Sequence, residues 1–151
     1  MPGSYRASPA RALSLPRSFG LPAGPCSMTA GEMLLVLAGL QTKHFAADFL
    51  LQTARMRREK GLYGRAGGLW HSLVHVMGSA IVLLPTVGPT APLAAVLVGE
   101  GAAHYHIDWS KERIGRRQGL AMQSEGFWRL FGLDQLAHQF TYLVMLFVVL
   151  A

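Results

Sequence analysis

Ionisable side chains interrupt four otherwise apolar stretches of the chain, and in each they recur at helical spacing. His44, Asp48 and Gln52 follow at four-residue intervals, and so do Glu100, His104 and Asp108, with Lys111 about one turn later. His71 and His75 form a third set, and Asp134 and His138 a fourth, with Gln135 beside them. Residues four apart share a helical face, so each stretch carries a single ionisable stripe; His106 points elsewhere. Imidazole and carboxylate on facing helices are the donors of a zinc-like divalent-metal site, and bundle cores host such sites through short-spaced Glu and His. The expected ligands are His44, His71, His75, His104, Asp108 and His138. Asp48 and Asp134 are the candidate ligands or general bases, with Lys111 as a further catalytic group. Gln52, Lys60 and Gln135 are expected nearer the substrate. His71-x-x-x-His75 has zincin spacing, but Ser72 stands where that helix carries its glutamate. A divalent ion with a carboxylate base beside it is the equipment of a hydrolase.

The elements that must hold these residues are four long apolar segments, at about 33–53, 69–87, 91–108 and 127–151. Each approaches the ~20 residues that cross ~30 Å of hydrocarbon. Of the 151 residues 51% are hydrophobic and only 15% charged, against roughly 25% charged in a soluble domain. A soluble bundle would place charge on its outer faces; here those positions are Leu, Ala, Val and Phe. The expectation is an all-α, integral-membrane, antiparallel four-helix bundle over residues 28–151. A lone Cys26 excludes a disulfide scaffold, and no GxxxxGK[ST] or GxGxxG supports a nucleotide enzyme.

The net charge of +6 is distributed as a membrane topology signal rather than as a nucleic-acid surface. Arg55, Arg57, Arg58, Lys60 and Arg65 lie between the first two segments, and Lys111, Arg113, Arg116 and Arg117 between the last two. The stretch PTVGPTAP between the second and third has no charge. The positive-inside rule makes both basic loops cytoplasmic and both termini external, in an inner membrane. Trp70, Trp109 and Trp128 fall at the cytoplasmic ends of their spans, as an aromatic belt does. Residues 1–27 are a Pro/Ser/Arg-rich block without an apolar run. They read as a disordered tail, a targeting segment, or a start upstream of Met28.

Antiparallel packing sets the depths. Counted from the cytoplasmic edge, Gln52, His71 and Asp108 are shallowest. Asp48, His75, His104 and Asp134 lie roughly 10 Å down at 1.5 Å per residue, with His44, Glu100 and His138 deeper. Lys43 is placed to pair with Glu100. All four stripes therefore meet in one half of the bundle, as a shared polar site. Three uses of such a site stand open: a metal-dependent hydrolase acting on a lipid-linked or phosphate-bearing substrate, a proton- or metal-ion-handling transport component, and mutual satisfaction of His and Asp in a structural membrane protein. A bis-histidine haem protein fits less well, since haem has no need of the carboxylates.

The run His44-Phe-Ala-Ala-Asp48-Phe-Leu-Leu-Gln52-Thr, then Lys60, His71-x3-His75, His104-x3-Asp108-x2-Lys111 and Asp134-Gln135-x2-His138, resembles a family of small bacterial membrane proteins, that of the domain of unknown function 3307. The resemblance covers roughly Met33 to Ala151. It implies a polytopic inner-membrane protein and supplies no activity, cofactor or substrate.

Overall fold

A computed structural model describes residues 28–151; the reading of 1–27 lies outside them. The described chain is all helical: α1 (Ala30–Phe45), α2 (Ala54–Glu59), α3 (Ala66–Val87), α4 (Ala91–Arg117) and α5 (Glu125–Leu150). Side-chain caps set most of the starts. Thr29 and Glu32 form a capping box at α1, and Thr53, Thr90 and Ser124 accept backbone hydrogens at the heads of α2, α4 and α5. Each such cap satisfies a donor that the first turn leaves free.

Two of the four expected segments, the first and the third, need new bounds. The first is not one helix, because α1 gives way at Phe45 to a π-helical turn over Ala46–Leu50, closed by Leu51 N–H to the Ala46 carbonyl at 2.9 Å. Gln52 and Thr53 then lie outside any helix. The second ends where expected, at Val87: the helix runs past Pro85 and stops at Gly88, whose φ of 69° favours glycine. The third runs nine residues beyond Asp108, so Lys111, Arg113, Arg116 and Arg117 ride on a helix rather than a loop. The first basic connection likewise contains α2.

Helices α1, α3, α4 and α5 form an antiparallel four-helix arrangement in which α1 and α4 each pack against both α3 and α5. The register is visible in contacts that step in opposite directions. Ser79, His75 and His71 on α3 face Glu100, His104 and Asp108 on α4. A Cβ at Gly39 would lie 2.9 Å from Val82, and one at Gly78 would lie 3.2 Å from Lys43, so small residues let α1 and α3 approach closely.

The interior has two layers. Val36, Leu40, Leu83, Leu93, Val96, Tyr142, Met145, Leu146 and Val149 form a continuous apolar core. The other layer is polar, with His44, His71, His75, His104, Asp108, Asp134 and His138 all buried. The outside is the inverse of a soluble bundle: Leu35 on α1 is 74% exposed, Ile81 on α3 73%, Val98 on α4 74% and Phe147 on α5 72%. Two helices, α3 and α5, are long and apolar enough to cross a membrane. At 16 residues, α1 spans only about 24 Å before its π turn. Along its length α4 carries Glu100, Asp108, Lys111 and a basic C-terminal turn.

Candidate metal centre

The site begins with the π turn. An extra residue in one helical turn rotates everything beyond it, and such turns recur at functional sites. Here it directs Asp48 across to α3, where Oδ1 lies 3.1 Å from both His71 Nε2 and His75 Nε2. On the opposite side His71 Nε2 is 3.2 Å from Asp108 Oδ2, which is 3.6 Å from His104 Nε2. The His75 and His104 rings stack with centroids 3.7 Å apart, and the His104 and His138 centroids are 4.3 Å apart. Four elements thus deliver five imidazoles and three carboxylates to one buried volume.

Two sets of donors meet within metal-bridging reach. Asp48, His71, His75 and His104 each place a ligand atom within 4.8 Å of the others, and so do His104, Asp108 and His138. The separations of 3.1–3.6 Å among these donors match the polyhedron edges, ~3.0–3.5 Å, that follow from metal–ligand bonds of about 2.0–2.2 Å. Several of the atoms have no hydrogen bond: both nitrogens of His104, Oδ2 of Asp108 and Nε2 of His138 are buried without one. Buried polar atoms are nearly always satisfied, and a cation in the site would satisfy Asp108 Oδ2, His138 Nε2 and one nitrogen of His104. The tautomer of His138 agrees. Its Nδ1–H donates to the Asp134 carbonyl at 2.8 Å, which leaves Nε2 with a lone pair facing the site, the usual support of a metal-ligating histidine.

Not every expected ligand belongs to these sets. His44 stands in neither: its Nδ1 meets the Tyr142 hydroxyl at 2.8 Å, and its Nε2 lies 3.4 Å from Asp48 Oδ2 and 3.3 Å from the Gln135 amide oxygen. It orients Asp48 from behind. Asp48 itself sits among the metal donors rather than apart as a base. Asp134 joins neither set, and its buried Oδ1 has no hydrogen-bond partner. The Gln52 amide lies 3.2 Å from His71 Nε2. His106 is off the stripe, exposed, with Nδ1–H donating to the Ala102 carbonyl at 2.7 Å.

Asp48, Gln52, Lys60, Lys111, Asp134 and Gln135, with Phe49 and Phe131, line a cavity of about 110 Å³ at the basic end of the bundle. Lys60 Nζ donates to Asp108 Oδ1 at 3.4 Å. Burial depresses its ammonium, but Asp108, then Asp48, Glu112 and Asp134, outweigh this and hold its pKa above the ordinary lysine value. Lys111 Nζ is 3.3 Å from Glu112 Oε1. Deeper in, Lys43 pairs with Glu100, which also accepts from Ser79 Oγ at 2.8 Å. Sequence reasoning missed Ser79 and Tyr142, although each continues a stripe by one four-residue step, from His75 and His138.

No curated protein and no solved structure matches this chain. The family model described as a protein of unknown function, DUF3307, matches residues 35–151, a stretch that contains every donor of the centre, and the chain belongs to that family.

Proposed function

We propose that the chain is a polytopic membrane protein whose four long helices all lie in the bilayer, with the basic ends of the bundle cytoplasmic and residues 28–151 as one transmembrane unit. The apolar outer residues on α1, α3, α4 and α5 support this, since charged groups inside a membrane normally face the bundle interior. The centre binds a divalent metal ion and serves a hydrolase that acts on a phosphate-bearing, lipid-linked substrate. The observation that carries the metal reading is the set of buried, unpartnered donor atoms on His104, Asp108 and His138.

A divalent ion there would supply Lewis-acid polarisation and an acidified water. The chain's own residues account for the remainder. Lys60 and Lys111 give the mouth of the cavity a positive lining for an anionic head group, and the Gln52 and Gln135 amides offer it hydrogen bonds. Asp134 lines that cavity, and its Oδ1 carries no hydrogen bond. As the attacking water's oxygen bonds to phosphorus and the bond to the leaving oxygen breaks, Asp134 takes the water's proton and returns it to the leaving oxygen. The hydrocarbon of the substrate has a place to lie: an apolar groove of about 510 Å³ between α4 and α5, which passes Ala103 and Ala137, the residues preceding His104 and His138.

The π break in α1 favours the second reading, a proton- or metal-ion-handling transport component, because discontinuous helices mark ion sites in transporters. Against it, Leu40, Leu83 and Tyr142 are packed as fully buried side chains on the far side of the polar layer. The deciding experiment is metal analysis of detergent-purified protein together with phosphatase assays on lipid phosphates. Wild type and His106→Ala should retain metal, His75→Ala and His104→Ala should lose it, and Asp134→Asn should keep the metal while losing turnover. Wild-type protein that binds no divalent metal sinks the hydrolase reading.

A further inference from the structure

The two donor sets share one residue, His104, and each also has ligands of its own. Asp48, His71 and His75 belong only to the first, Asp108 and His138 only to the second. Both ring nitrogens of His104 lack a hydrogen-bond partner, and its ring stands between the ring of His75 at 3.7 Å and that of His138 at 4.3 Å. Donors on both sides of that ring are more than a single ion can collect, whereas an imidazole can offer one nitrogen to each of two ions.

Charge decides when the second ion can be held. The buried acids are Glu100, Asp108 and Asp134, joined by Asp48 with a side chain only 11% exposed. The cations among them are Lys43, paired with Glu100, and Lys60, paired with Asp108. Those two pairs leave the charges of Asp48 and Asp134, which one divalent ion balances. A second ion alone would leave two uncompensated positive charges in a low-dielectric interior, at a large desolvation cost. A phosphate monoester carries about −1.5 to −2, enough to cancel them, and the cavity lined by Lys60, Lys111 and Asp134 adjoins the centre.

We propose that the centre takes two divalent ions: the first held by Asp48, His71 and His75, the second by Asp108 and His138, with His104 between them. The second ion is taken up together with a phosphate monoester. This rests on the metal reading above and names the substrate class of the same site. Phosphate from solution and phosphate on a lipid head group share the required chemistry, so both must be offered.

The test is Mn²⁺ stoichiometry on the full chain in detergent, by equilibrium dialysis with electron paramagnetic resonance. It is run with Mn²⁺ alone, with inorganic phosphate, and with a short-chain phosphatidate. About one ion per chain without phosphate is expected, rising to about two, with the broadened signal of spin-coupled Mn²⁺, in at least one phosphate arm. A rise with phosphatidate alone assigns the anion to lipid; a rise with both assigns it to phosphate generally. His138→Gln should keep the first ion and fail to gain the second. One ion in every arm overturns the proposal while leaving the metal centre intact. Two ions without phosphate overturns the charge coupling. No Mn²⁺ in any arm, with no zinc on metal analysis, removes the metal reading itself.

Discussion

Glu59, the last residue of α2, reaches the head of α3, where its Oε2 accepts the Gly67 amide hydrogen at 2.7 Å. Helix α3 has no side-chain cap of its own, since Arg65 occupies that position, so this carboxylate supplies the missing acceptor and meets the positive end of the helix dipole. The Gly67 amide holds the Glu59 carboxyl below its ordinary 4.5; burial opposes this and Arg55 adds to it. A carboxyl depressed in the folded state contributes stability above its unfolded value and loses it as pH falls through the folded one. Melting of metal-free protein should therefore become steadily easier as pH drops below about 4.5, and Glu59→Gln should flatten that dependence. Parallel pH curves for the two proteins would show that the contact contributes nothing.

The same junction makes a size prediction. A Cβ on Gly67 would stand 2.8 Å from Glu59 Cβ and 2.9 Å from the Arg55 carbonyl oxygen. Backbone cannot yield there without moving α2, and α2 carries Lys60 over the centre. Gly67→Ala should cost about 1–3 kcal/mol, the usual range for overpacking. Gly132, in the middle of α5, has nothing within 4 Å of its Cβ position. Gly132→Ala should instead stabilise, by up to about 1 kcal/mol of helix propensity. Thermal melts of the two variants should shift in opposite directions.

These contacts mark the limit of what spacing could reveal. The stripes on α3, α4 and α5 were legible because a straight helix carries residues four apart to one side, and counting from the ends of antiparallel segments put the four stripes in the same half of the bundle. The pairing of Lys43 with Glu100 followed from the same count. On α1 the rule holds only as far as His44. The π turn then re-aims Asp48, and nothing in Ala-Ala-Asp-Phe-Leu announces it. Glu59 was invisible for another reason: its contact depends on how α2 folds back, and a charge in a basic loop reads as solvated. The division of donors into two sets depends on ring planes and on which carboxylate oxygen faces which nitrogen, and periodicity carries none of that.

Topology offers a separate check on the four-span reading. Reporter fusions after Arg58 and after Arg117 should report the cytoplasmic side. Fusions at Gly88 and after Ala151 should report the external side, since the uncharged turn between α3 and α4 gives no reason for cytoplasmic retention. The informative position is Gly88, because α3 is long and apolar enough to cross a membrane whereas α1 and α4 are marginal. A cytoplasmic Gly88 would mean that α3 and α4 do not cross as a pair, and the burial of the centre within the bilayer would go with it.

Lys43 and Glu100 meet at the boundary between the polar and apolar layers, where each has few alternatives. Besides the Glu100 carboxylate, Lys43 Nζ has the His75 carbonyl oxygen at 3.2 Å and His75 Nδ1 at 3.5 Å; Glu100 has Ser79. Removing one member of a buried ion pair strands the other, at about 3–5 kcal/mol, whereas removing both avoids that penalty. Lys43→Met should therefore destabilise strongly, and Lys43→Met combined with Glu100→Gln should cost less than the two single changes added together. A coupling of roughly 0.5–3 kcal/mol is expected for neighbours of this kind. Unfolding of metal-free protein in mixed detergent supplies the four stabilities. Metal content measured in parallel separates support from ligation, because neither residue belongs to the two donor sets and the double variant should still bind metal. Additive stabilities would mean that the pair is two independent groups held near one another by the bundle. Loss of metal from a well-folded double variant would instead make Lys43 part of what holds His75 in place.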